Sequence, residues 1–431
     1  MKRTTIYKSL ILIFIFCSLV SLICKSQATS SSIATSSSIA TSSPTATSSP
    51  KPTSNTNVAL TDFGAAGDNS TDNSVYMQKA INSLSDGGQL TIPNGKFNLN
   101  NATIYLTKPI TVTGTGELRN GKLIVNNTNN VVIKGLQTNN VSIILKNSSN
   151  IKILKNRFTN IWADIGGAIS IYDPCNGIQI SGNDFVDISY KTLPTAYGCG
   201  IKVELNSCSL SDVQISNNNF SRIHGPAAIW IGGSNMNYRN IKIDNNIIHD
   251  TENFGIEFFK SSGTSNISDI YVTNNLITNI GSIRIDKTGS GCGGIYTNYS
   301  ADGIYIIGNT LKKITEVGIE GLYSLVQENY IEDTGCDQLN RPTNDNSAIY
   351  GGSLNVIRNT IVDPGNNGGV YLYTSGVLDG CNYKENKIKN EAKQWKGSTA
   401  YQSGDVVVSN DILYECIKSG TSGDMAPSGV S

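Results

Sequence analysis

The stretch Arg239–Asp250, "RNIKIDNNIIHD", alternates apolar and polar residues and then breaks at two asparagines. The pattern returns along the chain as "VQISNN", "IYVTNN" and "IYIIGN". Alternation with a period of two marks a strand with one face inward and one outward. Each repeat carries a second alternation after a turn, opening Gly/Ala-Ile or Gly-Val: "AISIY", "GIKVE", "AIWIG", "GIEFF", "GIYTN", "GIEGL", "AIYGG" and "GVYLY". No helical period lies between the two, so short turns must join them.

The asparagine closing the first alternation is Asn156, Asn183, Asn218, Asn246, Asn275, Asn309, Asn329, Asn359 and Asn386, at intervals of 20 to 35 residues. Units of that size cannot bury their own apolar faces and must stack on one another. Parallel strands joined by short turns, ~4.8 Å apart from coil to coil, make an all-β solenoid, a parallel β-helix. Crossover handedness makes it right-handed. The repeated asparagine is read as structural. Its backbone tolerates the left-handed conformation of a tight turn, and its amide can bond the amide of the next coil. Ahead of the repeats, Met77, Ala80, Ile81 and Leu84 lie at helical spacing behind the capping candidates Asp72 and Asn73. A short N-terminal helix there would cover the open end of the first coil, where bare strand edges invite aggregation.

The 33 acidic and 33 basic residues balance, so net charge draws the 431-residue chain neither to nucleic acid nor to an anionic membrane. Residues 1–28 read as an export signal: "MKRTTIYK" is basic, "SLILIFIFCSLVSLI" is apolar, and "SQA" ends at a cleavage candidate, Ala28. A retained membrane anchor is the alternative. Cys24 invites a lipoprotein reading, which the bulky Ile23 opposes. Residues 29–56 form a Ser/Thr/Pro tract expected to be a linker, 57–390 the β-helix, and 391–431 a further small module. The seven cysteines after the signal match no zinc spacing. Cys175 and Cys208 fall at similar places in successive repeats, as stacked neighbours, a disulfide, or buried free thiols.

Candidate chemistry follows from the second alternation. If its Ile points inward, the next residue points out, giving a row of Ser170, Lys202, Trp230, Glu257, Tyr296, Glu320, Tyr350 and Tyr371. Two residues on, a second row holds Tyr172, Glu204, Gly232, Phe259, Asn298, Leu322, Gly352 and Tyr373. Aromatic rings with a polar tip suit sugar faces, and carboxyl groups suit sugar hydroxyls or glycosidic chemistry. Three long loops, "SYKTLPTAYGCG", "GSIRIDKTGSGCGG" and "TGCDQLNRPTNDNSA", precede these strands and would wall the rows into a cleft. Glu257 and Glu320, with Glu204, are the catalytic candidates. Two coils separate Glu257 from Glu320, roughly 9.6 Å at the strand spacing, and Glu204 from Glu257 likewise. Carboxyls about 6.5–9.5 Å apart fit an inverting glycosidase, provided that a neighbour such as Trp230 or Tyr296 raises one pKa by desolvation. His224, just before the Trp230 strand, is a candidate base at the cleft edge. A lyase would instead draw on Lys202, Arg284, Lys287 and Arg341. No cofactor is required; calcium could be held by Asp333, Asp337 and Asp345. The substrate-binding candidates are Lys202, Trp230, Tyr296, Tyr350, Tyr371, His224 and Arg341.

The segment "DFGAAGDNSTDNSVYMQKAI…GGQLTIPNGKF" resembles the opening of the pectate-lyase-like β-helix superfamily, which includes polygalacturonase-like hydrolases, lyases, mannuronan epimerases and phage tailspikes. The resemblance covers roughly residues 57–390. The paired-aspartate and Gly-His-Gly motifs of polygalacturonases are not found. "IYDPCN" is similar to the Tyr-Asp-Pro-His region of mannuronan epimerases, with Cys175 where His is expected. That match adds Tyr172 and Asp173 to the substrate-binding candidates. The C-terminal segment resembles a chitin-binding-type carbohydrate-binding module through Trp395, Tyr401, Gly404, Asp405, Val407, Tyr414 and Pro427, short of its closing aromatic. The resemblance implies the fold and a polysaccharide ligand; with the export signal and the glutamates of the outward rows, the expectation is an exported glycoside hydrolase acting on a plant, algal or bacterial polysaccharide such as a polyuronide. The alternatives are a polysaccharide lyase or epimerase-like enzyme, and a non-catalytic carbohydrate binder or tailspike-like adhesin.

Overall fold

A computed structural model describes the chain from Asn55 to Thr421, except residues 163–165, 189–197, 284–290, 299–302, 336–346, 363, 365–368, 373–386, 390–392, 395, 402–405, 410–411 and 416–419. The expected export signal and the expected linker as far as residue 54 lie outside the described residues, as do Cys336, Cys381 and Cys416, whereas Asn55 and Thr56, placed in the linker, open the first strand. Among the described residues, no helix is long and apolar enough to cross a membrane.

The chain winds as a right-handed parallel β-helix. Its first sheet has 12 parallel strands, from Asn55–Ala59 to Asn355–Ile357, and holds the alternation that precedes each asparagine. The Gly/Ala-Ile segments form another parallel sheet, running through Gly167–Ile171, Cys199–Asn206, Ala227–Ser234, Phe254–Ser262, Gly293–Thr297, Val317–Leu322, Ile349–Gly352 and Val370–Leu372.

Between these two lies a sheet that the alternation did not reveal. Its strands, such as Asn219–Ile223, Ile247–Thr251 and Leu276–Ile280, follow each asparagine directly. The reason is local. Phe220 and Ile223 both point inward, three residues apart, because Arg222 between them turns left-handed at φ 53°. Asp187, Asp250, Asn279, Lys313 and Asp333 do the same in their coils, so a period of two is never completed. In the earlier coils this middle sheet and the third are continuous, through strands such as Glu117–Asn126 and Gln137–Lys146.

The lumen is packed with aligned apolar columns. Phe158, Phe185 and Phe220 stack at ring-centroid distances of 5.0 and 4.5 Å. In register beyond them come Ile248, Ile277, Leu311, Ile331 and Ile361, all fully buried.

The asparagine ladder forms as a continuous chain of amides. Asn246 donates from Nδ2 to Asn275 Oδ1 and to the Ile215 carbonyl, both at 2.9 Å. It accepts at Oδ1 from the backbone N and the Nδ2 of Asn218, each at 3.0 Å. The same exchange runs from Asn156 to Asn359, and all eight amides are buried. Asn386 lies outside the described residues. One part of the expectation is corrected. The ladder asparagine is not the left-handed residue; the residue before it is, at Lys155, Gly182, Asn217, Asn245, Asn274, Gly308, Glu328 and Arg358. Neighbouring residues thus divide the two jobs, the first making the left-handed turn and the second the amide chain.

The capping helix spans Ser74–Ser83 and buries Met77, Ala80 and Ile81. Leu84 is buried too, as the first residue of the following strand. Asn73 is the N-cap, yet its side chain bonds Ala66 and Thr71, and Asp72 accepts from the Ser74 amide at 2.9 Å instead. Beyond the solenoid, Val406–Ser409 pairs antiparallel with Ile412–Glu415 and parallel with Lys393–Gln394. Trp395, Gly404, Asp405 and Pro427 of the expected module lie outside the described residues.

Cys175, Cys199, Cys208 and Cys292 are free thiols. Cys175 aligns with Leu210 rather than with Cys208, so the two are not stacked in register. Burial pushes the Cys175 thiol up to about 11 and the Cys199 thiol up to about 12. Both should therefore resist iodoacetamide in the folded protein and react on unfolding, as read by peptide mass mapping; rapid labelling of Cys199 in the native state would contradict its burial.

Candidate functional site on the third sheet

Strand register decides where the predicted side chains stand. Ser170, Lys202, Trp230, Glu257, Tyr296, Glu320, Tyr350 and Tyr371 are paired each to the next across the third sheet. The preceding isoleucines Ile169, Ile201, Ile229, Ile256, Ile295, Ile319 and Ile349 form the parallel inward column and are buried. The row is therefore a single outward wall, as the alternation requires.

Glu257 occupies its middle, between Trp230 and Tyr296. It is only 7% exposed, and its Oε2 is buried without a hydrogen-bond partner. A carboxylate stripped of water and given no donor favours the neutral acid. Burial accordingly raises its pKa to about 8. Glu320 stands two strands away in the same row and is half-buried. The two backbones are about 9.6 Å apart, from two strand spacings of ~4.8 Å.

Glu204 belongs to the second row, in register with Gly232 and then Phe259. Its offset from Glu257 is thus diagonal, two strands across and two residues along, rather than straight down the row. Its Oε2 lies 2.9 Å from Lys202 Nζ. Burial works against the Lys202 ammonium, but the Glu204 carboxylate outweighs it and the pKa ends above its ordinary value. Lys202 also lies 5.3 Å from the Trp230 ring centroid, within cation–π range.

The remaining rings divide into two kinds. Tyr350 and Tyr371 stack on each other at 5.5 Å, and Tyr296 stacks on Phe254 at 5.0 Å, so each covers part of its neighbour's face. Trp230 is different: it meets Phe259 at a tilt of 32°, and its six-membered ring extends over Gly232. A Cβ at Gly232 would sit 2.6 Å from the indole and 2.5 Å from the Phe259 carbonyl. Gly232 stood in the second row without an assigned role, and Phe254 in neither row. A glycine two residues after a tryptophan on one strand face was the available signal for the first; the second lies in no alternation.

Tyr172 follows the end of the Gly167–Ile171 strand and lies near Lys202, at this end of the wall. Asp173 turns instead to Lys146, 3.8 Å away. His224 lies in the turn between the middle and third sheets, the corner from which the long loops leave, with Nδ1 buried and unpartnered. At the same corner Glu316 Oε2 accepts from the Gly291 and Cys292 amides at 2.8 and 2.9 Å, a tether that sequence reading missed because one Glu in a turn carries no signal. Arg341, Arg284, Lys287, Asp337 and Asp345 lie outside the described residues. Asp333 is in the strand Tyr330–Thr334, and no cluster of three metal-ligating side chains occurs among the described residues. A concavity of about 750 Å³ lies on the first sheet, lined by residues such as Asp212, Gln214, Lys242 and Tyr271, and takes no residue from the wall.

Two of the solved structures that share this architecture illustrate the likeness. The Streptococcus pneumoniae surface protein and adhesin PfbA matches with a TM-score of 0.52 and 14% identity, over 78% of this chain and 98% of that one. The Dettilon tailspike protein gp208 matches with a TM-score of 0.53 and 17% identity, over 83% of this chain and 75% of that one. The fold is that of the parallel β-helix proteins. At such identities the likeness carries the fold alone. No protein-family model matches the sequence, and no curated protein matches it either.

Proposed function

We propose that this protein is an exported glycoside hydrolase, with Glu257 as general acid and Glu320 as its carboxylate partner on the third-sheet wall. One observation carries the reading: a carboxyl group at the middle of an outward row, 7% exposed, with its Oε2 buried and without a hydrogen-bond partner, a setting that favours the neutral acid. A structural role gives no reason to bury a lone acid there, whereas protonation of a glycosidic oxygen needs one. The roughly 9.6 Å backbone separation suits an inverting pair with water between the carboxyls. Glu204, neutralised by Lys202, serves binding rather than proton transfer. For the same reason Lys202 is a poor lyase base, since its partner keeps it an ammonium.

Incubation with a polysaccharide panel tests this. New reducing ends without ultraviolet absorbance are expected on at least one substrate. Absorbance from an unsaturated product would make it a lyase; retention of glycan without either signal would make it a binder.

A further inference from the structure

The wall beside the acid pair carries a cation whose use the proposed reaction leaves open. Lys202 is the one ammonium in the described part of the two outward rows, against the three carboxyl groups of Glu204, Glu257 and Glu320. It is also the hidden member of its ion pair: its side chain is 8% exposed, and that of Glu204 is 38% exposed. Anything arriving from solvent therefore meets the carboxylate first, with the ammonium behind it and the Trp230 indole alongside at 5.3 Å from the ammonium.

From this geometry we infer that Lys202, Glu204 and Trp230 form a subsite for a neutral sugar ring and select against uronate rings. The inference rests on the third-sheet wall being a polysaccharide site, and it names the class of sugar that the wall takes. Both partners keep hydrogen-bonding capacity beyond their mutual contact, since an ammonium has three donors and a carboxylate about four acceptor positions. Two adjacent sugar hydroxyls can use both, one donating to Glu204 and the other accepting from Lys202, while the ring's C–H surface rests against the indole. A neutral ring leaves the ion pair intact. A uronate ring brings a carboxylate that meets Glu204 as a like charge and must displace it to reach Lys202. In a polyuronide that cost repeats at Glu320 and at any ionised Glu257 along the row. This departs from the polyuronide that the superfamily resemblance suggests.

Affinity electrophoresis through gels containing a neutral glucan, mannan or xylan, or polygalacturonate or alginate, reads binding without needing turnover. The carrier is the full-length protein with Glu257→Gln, so that the gel polysaccharide is not consumed. Retardation by a neutral polysaccharide, and none by the uronides, is expected. Adding Glu204→Gln should weaken neutral binding about tenfold, the size of one charge-assisted hydrogen bond, and create uronide binding that fades with salt. A role in folding alone would weaken every ligand equally, and thermal melting of each variant checks that the fold persists. Stronger retardation of the Glu204-intact protein by uronides, or a Glu204→Gln variant that loses both classes together, overturns the inference while leaving the wall a glycan site. No retardation by any panel member, with new reducing ends from none of them under the native protein, instead overturns the wall as a polysaccharide site.

Discussion

Glu257→Gln is expected to lower kcat on the susceptible polysaccharide by about 10³-fold, within the range that a positioned general acid supplies, with little change in glycan retention. The amide keeps the shape and loses the transferable proton. Native activity should fall as the pH rises through about 8, where the buried acid ionises. The residual activity of the variant should lack that alkaline limb. A pH–rate profile of both proteins on one substrate is the measurement; a variant with native kcat would remove Glu257 from the reaction.

The same group sets a stability cost, with a definite sign. Its folded pKa is raised above the unfolded value, so its contribution is fully favourable below pH 4.5 and is lost as the pH rises toward about 8. At pH 7 the loss is of the order of 3 kcal/mol, at 1.36 kcal/mol per pH unit. Glu257→Gln should accordingly melt higher than the native chain at pH 7–8, and the gap should close near pH 4–5. Gain of stability with loss of activity is the pattern of a residue kept for function rather than for folding. Ordinary surface glutamates show neither half of it.

The solenoid was legible in the sequence because two of its three sheets obey a period of two, and a buried asparagine marks each coil. The third-sheet wall was legible for the same reason, and the register aligns Lys202, Trp230, Glu257, Tyr296, Glu320 and Tyr350 as the alternation required. The middle sheet was hidden because left-handed residues such as Arg222 and Asp250 place inward side chains three apart. The difference between the glutamates was hidden as well. Glu204, Glu257 and Glu320 look alike in sequence, and their chemistry diverges through what lies across the sheet: a lysine at 2.9 Å for Glu204, and for Glu257 a site buried between ring-bearing neighbours with no donor. The offset of Cys175 from Cys208 is another cross-strand fact, since two residues of register turn an apparent neighbour into a separate site.

Asn246→Ala should cost about 3–5 kcal/mol of stability, more than an exposed asparagine could. The change strips partners from four buried groups: the backbone N and the Nδ2 of Asn218, the Ile215 carbonyl and Asn275 Oδ1. Asn218 Nδ2 keeps the Ile180 carbonyl and Asn275 Oδ1 keeps the Asn246 backbone N–H, so the cost, about 1–3 kcal/mol for each buried group left unpaired, falls mainly on the Asn218 backbone N and the Ile215 carbonyl. Because a solenoid is stabilised coil by coil, the loss should appear first as faster hydrogen exchange at Asn218 and Asn246 rather than across the whole chain. The neighbouring Asn245 provides the contrast. It carries the left-handed turn at φ 55°, and Gly182 and Gly308 fill the same place in other coils at φ 67°. Asn245→Gly therefore suits the backbone and loses only an exposed amide contact to Asn217, so it should cost under about 1 kcal/mol. Chemical denaturation of the two variants beside the native protein separates the positions. Equal losses would mean that backbone conformation, not the buried amide chain, is what the asparagine pair supplies.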